Sequence, residues 1–474
     1  MSHSFFLKKA GITIFYLLLL QANGIAQSVT HNLKNSFLNF EKDPQLKYAI
    51  SSLYVVDAQS GVVVFDKNSS VGLAPASTQK IVTSISAYEI LGKDFSYRTD
   101  ISYDGKIVNG ILIGNIVVTG SGDPTLGSWR WAKTKEDSVI NRILKSIQEK
   151  GIRKIDGNII VDISNWKGNQ QMDGWIWQDV GNYYGAGLNS LLWRENQFDI
   201  HLQSGKNIGD PVSVIGYTPN LYTEGYQSYV TSAKKGSGDN AYVYIQPKEI
   251  RGTIPIMEND FVISGSMQNA SLQFANTLAD SMGRKGFGKN SNVSILDEST
   301  KGSVNNTLPQ QQLLHIEISP PLDSIIYWFN KKSVNLYGES LMKTIAYQQN
   351  GFGSTDSGIK IIKKYWNQFG VDEDELGMVD GSGLSPMNRI TTHAQVELLK
   401  YAKSKDWFTS FFTSLPEYNN MKMKSGTIRG AKGFCGYHKA KNGKEYIFSF
   451  LVNNYNGSAT SLVNKMFRVL DSLK

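Results

Sequence analysis

Between Leu53 and Gly92 the chain spells out a strand, a turn, a second strand and a helix with little slack between them. Leu53-Tyr54-Val55-Val56-Asp57 and Val62-Val63-Val64-Phe65 are β-branched and aromatic runs joined by Ala58-Gln59-Ser60-Gly61, a strand-turn-strand signal. After a short loop Pro75 fixes the start of a helix in which Ile81, Ile85 and Tyr88 keep the helical period until Gly92 stops it. Ala76-Ser77-Thr78-Gln79-Lys80 stands at that junction. If Thr78 opens the helix, Ser77 and Lys80 share one face, and the lysine amine can take the hydroxyl proton without any histidine. The alternative is that Ser77 only caps the helix, as serine often does. The same Ser-x-x-Lys spacing recurs at Ser164/Lys167, Ser232/Lys235 and Ser357/Lys360, without the flanking pattern.

A length of 474 residues suits two or three domains with cores of their own, and 41% hydrophobic content argues against disorder. Lys8 and Lys9, the apolar run from Gly11 to Leu20, and Gly24-Ile25-Ala26 read as a signal peptide over residues 1–26, so the mature protein is expected to be exported. That run is too short for a comfortable membrane span, and no other stretch nears the roughly 18 apolar residues a span needs, so no transmembrane anchor is expected in the mature chain. Cys435 is the only cysteine, which excludes an internal disulfide and fits a bacterial periplasm better than a disulfide-stapled secreted module. Loss of the two leader lysines lowers the net charge from +8 to +6. The charges are dispersed, and export argues against a nucleic-acid partner. The six histidines show no spacing suited to zinc, so neither metal nor cofactor is expected.

Further along, Ser102 to Val118 reads as paired strands, and Val139, Ile140, Ile143, Leu144 and Ile147 stripe a helix that Gly151 ends. Gly120-Ser121-Gly122-Asp123-Pro124 lacks the lysine and spacing of a phosphate loop, and its aspartate would repel phosphate. Residues near 198–265 alternate in short β-like runs, a helix covers Leu272 to Met282, and Lys301 to Gln312 reads as a polar linker. From Pro320 the chain turns helical again, and it closes with a hairpin about Lys441-Asn442-Gly443-Lys444 and a helix through Leu462, Met466, Val469 and Leu470.

Two more patterns follow Ser77-x-x-Lys80 in order. Ser333-Val334-Asn335 sits between two apolar helices; Ser303-Val304-Asn305 has no such flanks. Lys424-Ser425-Gly426-Thr427 precedes the terminal hairpin, where a strand can present Lys424 and the Thr427 amide while Gly426 leaves room for close approach. Ser333 as a helix cap and Lys424 as an exposed lysine are the plainer readings of each alone. Gly-x-Ser-x-Gly, the competing hydrolase signal, does not occur.

Together these motifs resemble the D-alanyl-D-alanine carboxypeptidases of peptidase family S13, the class C low-molecular-mass penicillin-binding proteins. Gly122-Asp123-Pro124-Thr125-Leu126, Asp156 to Asp162, Gly174 to Asp179 and Asp380-Gly381-Ser382-Gly383-Leu384-Ser385 are similar to its signature blocks, and the 253 residues from Lys80 to Ser333 match its large insertion. Serine β-lactamases share the three motifs but place the second much nearer the first. The resemblance implies an α/β (α+β) fold: a split transpeptidase-like domain over 27–94 and 311–474, with an antiparallel sheet between helical layers. It also implies an inserted domain over 95–310, with a nested β-rich part near 198–265.

By the same resemblance, Ser77 is the nucleophile acting on peptidoglycan stem peptides and on β-lactams. Lys80 is its base, Ser333 the proton relay, and Asn335 holds Lys80 and the substrate amide. Lys424 lowers the proton affinity of Lys80 and, with Thr427, binds the terminal carboxylate; Ser425 and Gly426 complete the substrate-binding strand, and the Ser77 and Thr427 amides form the oxyanion hole. Asp179, with Tyr184 beside it, is expected to bind the free amine of diaminopimelate. Many family members carry an arginine directly after Gly-Ser-Gly-Leu-Ser, but here Pro386 stands there. Arg429 is the expected substitute, Arg389 the second choice. Cleavage of crosslinks as a DD-endopeptidase is also implied. A serine β-lactamase and a non-catalytic wall-binding scaffold are the alternatives.

Overall fold

The computed structural model describes residues 29–166, 170–223, 225–288, 292–300 and 310–474. The expected signal peptide lies outside them, as do the decoy at Ser303 and most of the expected linker. The described chain forms two compact units. One takes the residues up to Val82 with Phe369–Gly377 and Asn388–Lys474; the other takes Thr83–Gln368 with Met378–Met387.

The first unit is built on a six-stranded antiparallel sheet in the order Glu417–Tyr418, Met421–Ile428, Ala431–Lys439, Glu445–Asn453, Ile50–Asp57, Val63–Lys67. Side chains alternate across a strand, so each strand feeds two layers. Leu53, Val55, Phe434, Phe448, Phe450 and Val452 pack under the helix over 29–41 and the terminal helix Ala459–Leu470, through Phe37, Phe40, Leu462 and Met466. Residues of opposite parity meet the helix Thr392–Ala402: Ser52 Oγ lies 2.7 Å from Thr392 Oγ1, and Tyr437 donates to the Leu399 carbonyl. The sheet therefore lies between helical layers, as the fold reading expects.

In the second unit a five-stranded mixed sheet runs Val293–Leu296, Ile159–Asp162, Ile116–Thr119, Arg98–Tyr103, Gln312–Ile318. Helices Glu136–Glu149 and Ala270–Arg284 bury their apolar stripes in the same core. Gln312–Ile318 begins where a linker was expected to end. It is an edge strand, whose half-buried side chains give a weak pattern. Residues 197–266 fold into two three-stranded sheets, the β-rich middle read from the sequence.

Helices Leu322–Lys331, Asn335–Asn350 and Thr355–Asn367 also belong to the second unit. Asn335–Asn350 is buried on nearly every side, and two of its side chains bond across the unit: Ser340 donates to the Gly122 carbonyl and Tyr337 to Glu195. These bonds tie the helix to the sheet-bearing segment, so compactness cuts the chain elsewhere than at the expected boundaries of 95 and 310. Among the described residues no helix is long and apolar enough to cross a membrane.

Candidate active site

Pro75 leads into a short 3-10 turn, Ala76–Gln79, and the α-helix proper starts only at Lys80 and runs to Leu91. The start is later than Thr78 would give. In a 3-10 turn residues i and i+3 eclipse each other, so the later start brings Ser77 and Lys80 closer together. The Lys80 Nζ donates to Ser77 Oγ at 2.9 Å, with Lys80 fully buried and Ser77 half-buried. Ala76 holds the left-handed region at φ 46°, a conformation that costs a non-glycine residue about 1–2 kcal/mol. The N-cap of the turn is Pro75 rather than Ser77.

The turn is held from below. Thr78 donates to the Pro75 carbonyl at 2.7 Å and accepts from Gln395 Nε2 at 2.9 Å, while Ser449 donates to Gln395 Oε1 at 2.6 Å. One chain of buried hydrogen bonds thus links the sheet, the Thr392–Ala402 helix and the turn that carries Ser77.

Strand Met421–Ile428 passes directly against that turn. A Cβ on Gly426 would lie 2.6 Å from the Pro75 oxygen and 2.8 Å from the amide nitrogens of Ser77 and Thr78. Gly433 is its cross-strand partner, and a Cβ there would meet Leu451 and Thr78. Two paired glycines therefore open the sheet face to the serine. Lys424, on the same face as Gly426, is buried, and its Nζ donates to the Ser425 carbonyl at 2.9 Å. Burial first, then the charges of Lys80 and Lys432, hold the Lys424 ammonium well below its ordinary range. That repulsion is mutual, so the site disfavours carrying both Lys80 and Lys424 protonated.

The outer edge of this strand pairs with Glu417–Tyr418 only at Met421 and Lys422. Met423 N–H points outward to the Pro416 carbonyl, and the antiparallel alternation turns the Ser425 and Thr427 N–H groups to that edge too. Thr427 is exposed. Arg429 falls past the strand rather than on it: it shares the two-residue hairpin turn with Gly430, whose φ of 77° the turn requires, and its side chain is exposed. Arg389 is exposed in a two-residue strand and donates to the Asn388 carbonyl at 2.7 Å. Pro386 is exposed.

In the second unit Ser333 occupies the helix junction read from the sequence, in the left-handed region at φ 57°, and Asn335 is the first residue of the following helix. Asn335 Nδ2 donates to the Tyr184 carbonyl at 2.8 Å, and the Tyr184 hydroxyl donates to Asp179 at 3.3 Å. The unit thus brings Asn335, Tyr184 and Asp179 into one connected group. Burial raises the Asp179 carboxyl above its ordinary value, with the Tyr184 bond only partly offsetting this. The Asp380 carboxylate organises the next block, accepting from the Gly383 and Ser385 amides, both at 2.7 Å, and from Trp175 Nε1 at 2.9 Å. Glu339 accepts from the Gly381 amide at 2.8 Å, and Ser385 donates to the Gly174 carbonyl.

Gln395, Gly433, Lys432 and Asp380 were not picked out as functional on sequence grounds. Lys432 had a signal: a lysine in a strand whose other residues are buried up to Lys439. Among the described residues no group of three or more His, Cys, Asp or Glu side chains is placed to hold a metal ion.

A family model described as the D-Ala-D-Ala carboxypeptidase 3 (S13) family matches residues 33–472. The chain is 24% identical over 466 residues to the D-alanyl-D-alanine carboxypeptidase of Actinomadura sp. (strain R39), covering 90% of this chain and 82% of that one. It is also 24% identical over 425 residues to D-alanyl-D-alanine carboxypeptidase DacB of Haemophilus influenzae, covering 83% of each. The crystal structure of penicillin binding protein 4 from Haemophilus influenzae superposes with a TM-score of 0.75 at 22% identity, covering 90% of this chain and 96% of that one, and shows the same fold. With the family match spanning nearly its whole length, the chain belongs to the D-Ala-D-Ala carboxypeptidase 3 (S13) family and is a serine-type carboxypeptidase.

Proposed function

We propose that Ser77 attacks the carbonyl carbon between the two terminal D-alanines of a peptidoglycan stem peptide. The Ser77 Oγ–carbon bond forms, the peptide C–N bond breaks and free D-alanine leaves; water then hydrolyses the ester. The observation that carries this reading is the 2.9 Å hydrogen bond between Lys80 Nζ and Ser77 Oγ. The closeness of Lys424 supports it, since the charges of Lys80 and Lys424 act on each other, and Lys80 accepts the hydroxyl proton from its neutral form. The Ser77 and Thr427 amides serve as the oxyanion hole, each donor worth about 3–4 kcal/mol by analogy. Lys424 and Thr427 receive the terminal carboxylate, while Ser425 lies along the substrate edge and Gly426 leaves room for close approach.

Ser333 returns the proton to the leaving amine, and Asn335 binds the substrate amide. Asp179 and Tyr184 take the free amine of diaminopimelate, whose positive charge would favour the ionised form that burial disfavours. Arg429 meets the diaminopimelate carboxylate. β-Lactams acylate Ser77 in the same way; one solved Haemophilus influenzae penicillin binding protein 4 is complexed with a β-lactam. Export to the periplasm through residues 1–26, a catalytic domain split over 27–94 and 311–474 around an inserted 95–310, and endopeptidase action on crosslinks complete the reading.

The test pairs two substrates. The mature protein should release D-alanine from an N-acylated D-Ala-D-Ala peptide and turn over nitrocefin slowly, with a persistent acyl-enzyme. Both activities should fall by at least about 10³-fold in Ser77→Ala. Rapid nitrocefin hydrolysis without D-alanine release would make it a β-lactamase, and inertness to both would leave a scaffold.

A further inference from the structure

Lys432 sits directly across the strand pair from Thr427, and its Nζ donates to Thr427 Oγ1 at 2.7 Å. The residue is only 8% exposed, and the ammonium lies 4.7 Å from the centre of the Phe434 ring. Among the described residues no carboxylate lies within ion-pair distance of it. A buried ammonium normally has an anionic partner, because removing the charge from water costs several kcal/mol unless something compensates. Here the acceptor is the hydroxyl of an exposed residue on the open edge of the candidate substrate strand. Accepting from Lys432 leaves the Thr427 hydroxyl proton pointing away from the lysine, free to donate to an incoming group.

We propose that Lys432 is the positioning residue of the terminal-carboxylate subsite, acting through Thr427 Oγ1 to aim the Thr427 hydroxyl proton at the substrate's C-terminal carboxylate and to balance its charge. The inference rests on the reading that Thr427 binds that carboxylate. It supplies a positive charge from beneath the strand, separate from the exposed Arg429, which lies beyond the strand's end. Burial brings the Lys432 ammonium down to about 8, so an arriving carboxylate would also keep the lysine protonated near neutral pH.

The experiment compares wild type, Lys432→Met, Lys432→Arg and Thr427→Val on two substrates. One is an N-acyl-D-Ala-D-Ala peptide; the other is an N-acyl-D-alanyl thioester whose leaving group ends in a methyl ester and so carries no carboxylate. Lys432→Met should raise KM for the peptide at least tenfold with a much smaller change in kcat, and lower the peptide-to-thioester ratio of kcat/KM at least tenfold. Thr427→Val should lower the same ratio, and Lys432→Arg should restore most of it. An unchanged ratio in Lys432→Met, or equal losses on both substrates, would overturn the proposal and leave Lys432 a structural residue. A lowered ratio in Thr427→Val with an unchanged one in Lys432→Met would keep the carboxylate reading of Thr427 and remove only Lys432. A wild-type protein that turns over neither substrate, or that penicillin labels away from Ser77, would sink the functional reading and this proposal with it.

Discussion

At Gly426 the missing side chain decides whether the strand can reach the serine. A methyl group there would have to displace backbone, because its nearest neighbours are the Pro75 carbonyl and the Ser77 and Thr78 amides. Gly426→Ala should therefore slow acylation by a fluorescent penicillin by about 10²-fold, the cost of misplacing reacting groups by an ångström. Gly433→Ala should cost less: its closest obstacle is the flexible end of Leu451, with the Thr78 methyl next. Stopped-flow labelling of the two variants would rank them, and an equal rate for both would contradict this geometry. The three motifs were legible in the sequence because their order and flanks repeat a known pattern. The Lys432–Thr427 pair was not legible, since a cross-strand neighbour depends on a register that only the hairpin turn at Arg429-Gly430 sets. The same turn holds Arg429, the expected substitute for the missing arginine, past the end of the strand.

Two elements carry the serine turn, and each makes its own prediction. The helix Thr392–Ala402 presents Gln395 to Thr78, and its first turn is anchored by Glu375, which accepts from Thr391 at 2.9 Å and pairs with His393 at 2.9 Å. The hydrogen bond to Glu375 raises His393 above its ordinary 6.5. Burial would raise Glu375, but the bonds from His393 and Thr391 outweigh it and hold Glu375 below its ordinary 4.5. A raised histidine stabilises the fold fully below 6.5, and its share is lost as pH climbs through the folded value; a lowered carboxylate stabilises above 4.5, and its share is lost on acidification. The pair should therefore contribute most between about pH 4.5 and 6.5. His393→Gln should remove the decline in thermal midpoint that this pair adds above that window, and an unchanged pH profile would contradict the assignment. The sheet face is governed by packing. Phe450 packs against Phe37, tilted, and Phe40, edge-to-face, at centroid distances of 5.8 and 5.3 Å, so Phe450→Ala should cost about 3–5 kcal/mol in urea unfolding. A loss under about 1 kcal/mol would mean the helix over 29–41 adds little to this core. Strands and helices with strong alternation or helical stripes were readable in advance. The edge strand Gln312–Ile318 and the 3-10 turn ahead of helix Lys80–Leu91 were not, because long-range pairing and one left-handed residue, Ala76, decide them.

Across the whole molecule, residues far apart in sequence combine within each unit: Lys80 with Lys424 in one, Tyr184 with Asn335 in the other. No local periodicity can report such pairings, because they depend on how distant segments pack. If Asp179 takes the diaminopimelate amine, Asp179→Asn should lower kcat/KM on diaminopimelate-containing peptides by about tenfold or more while changing penicillin acylation little, since penicillin lacks that amine. Equal losses on both would point to damage in the Tyr184–Asn335 link instead. Digestion of purified sacculi would apportion the two bond classes: shortened pentapeptides with intact dimers would remove the endopeptidase activity. The most direct test is to label the mature protein with a fluorescent penicillin, digest it and map the labelled peptide. One adduct per chain on Ser77, abolished in Ser77→Ala and strongly slowed in Lys80→Ala, is the predicted result; an adduct on any other serine, or full labelling of Ser77→Ala, would contradict it.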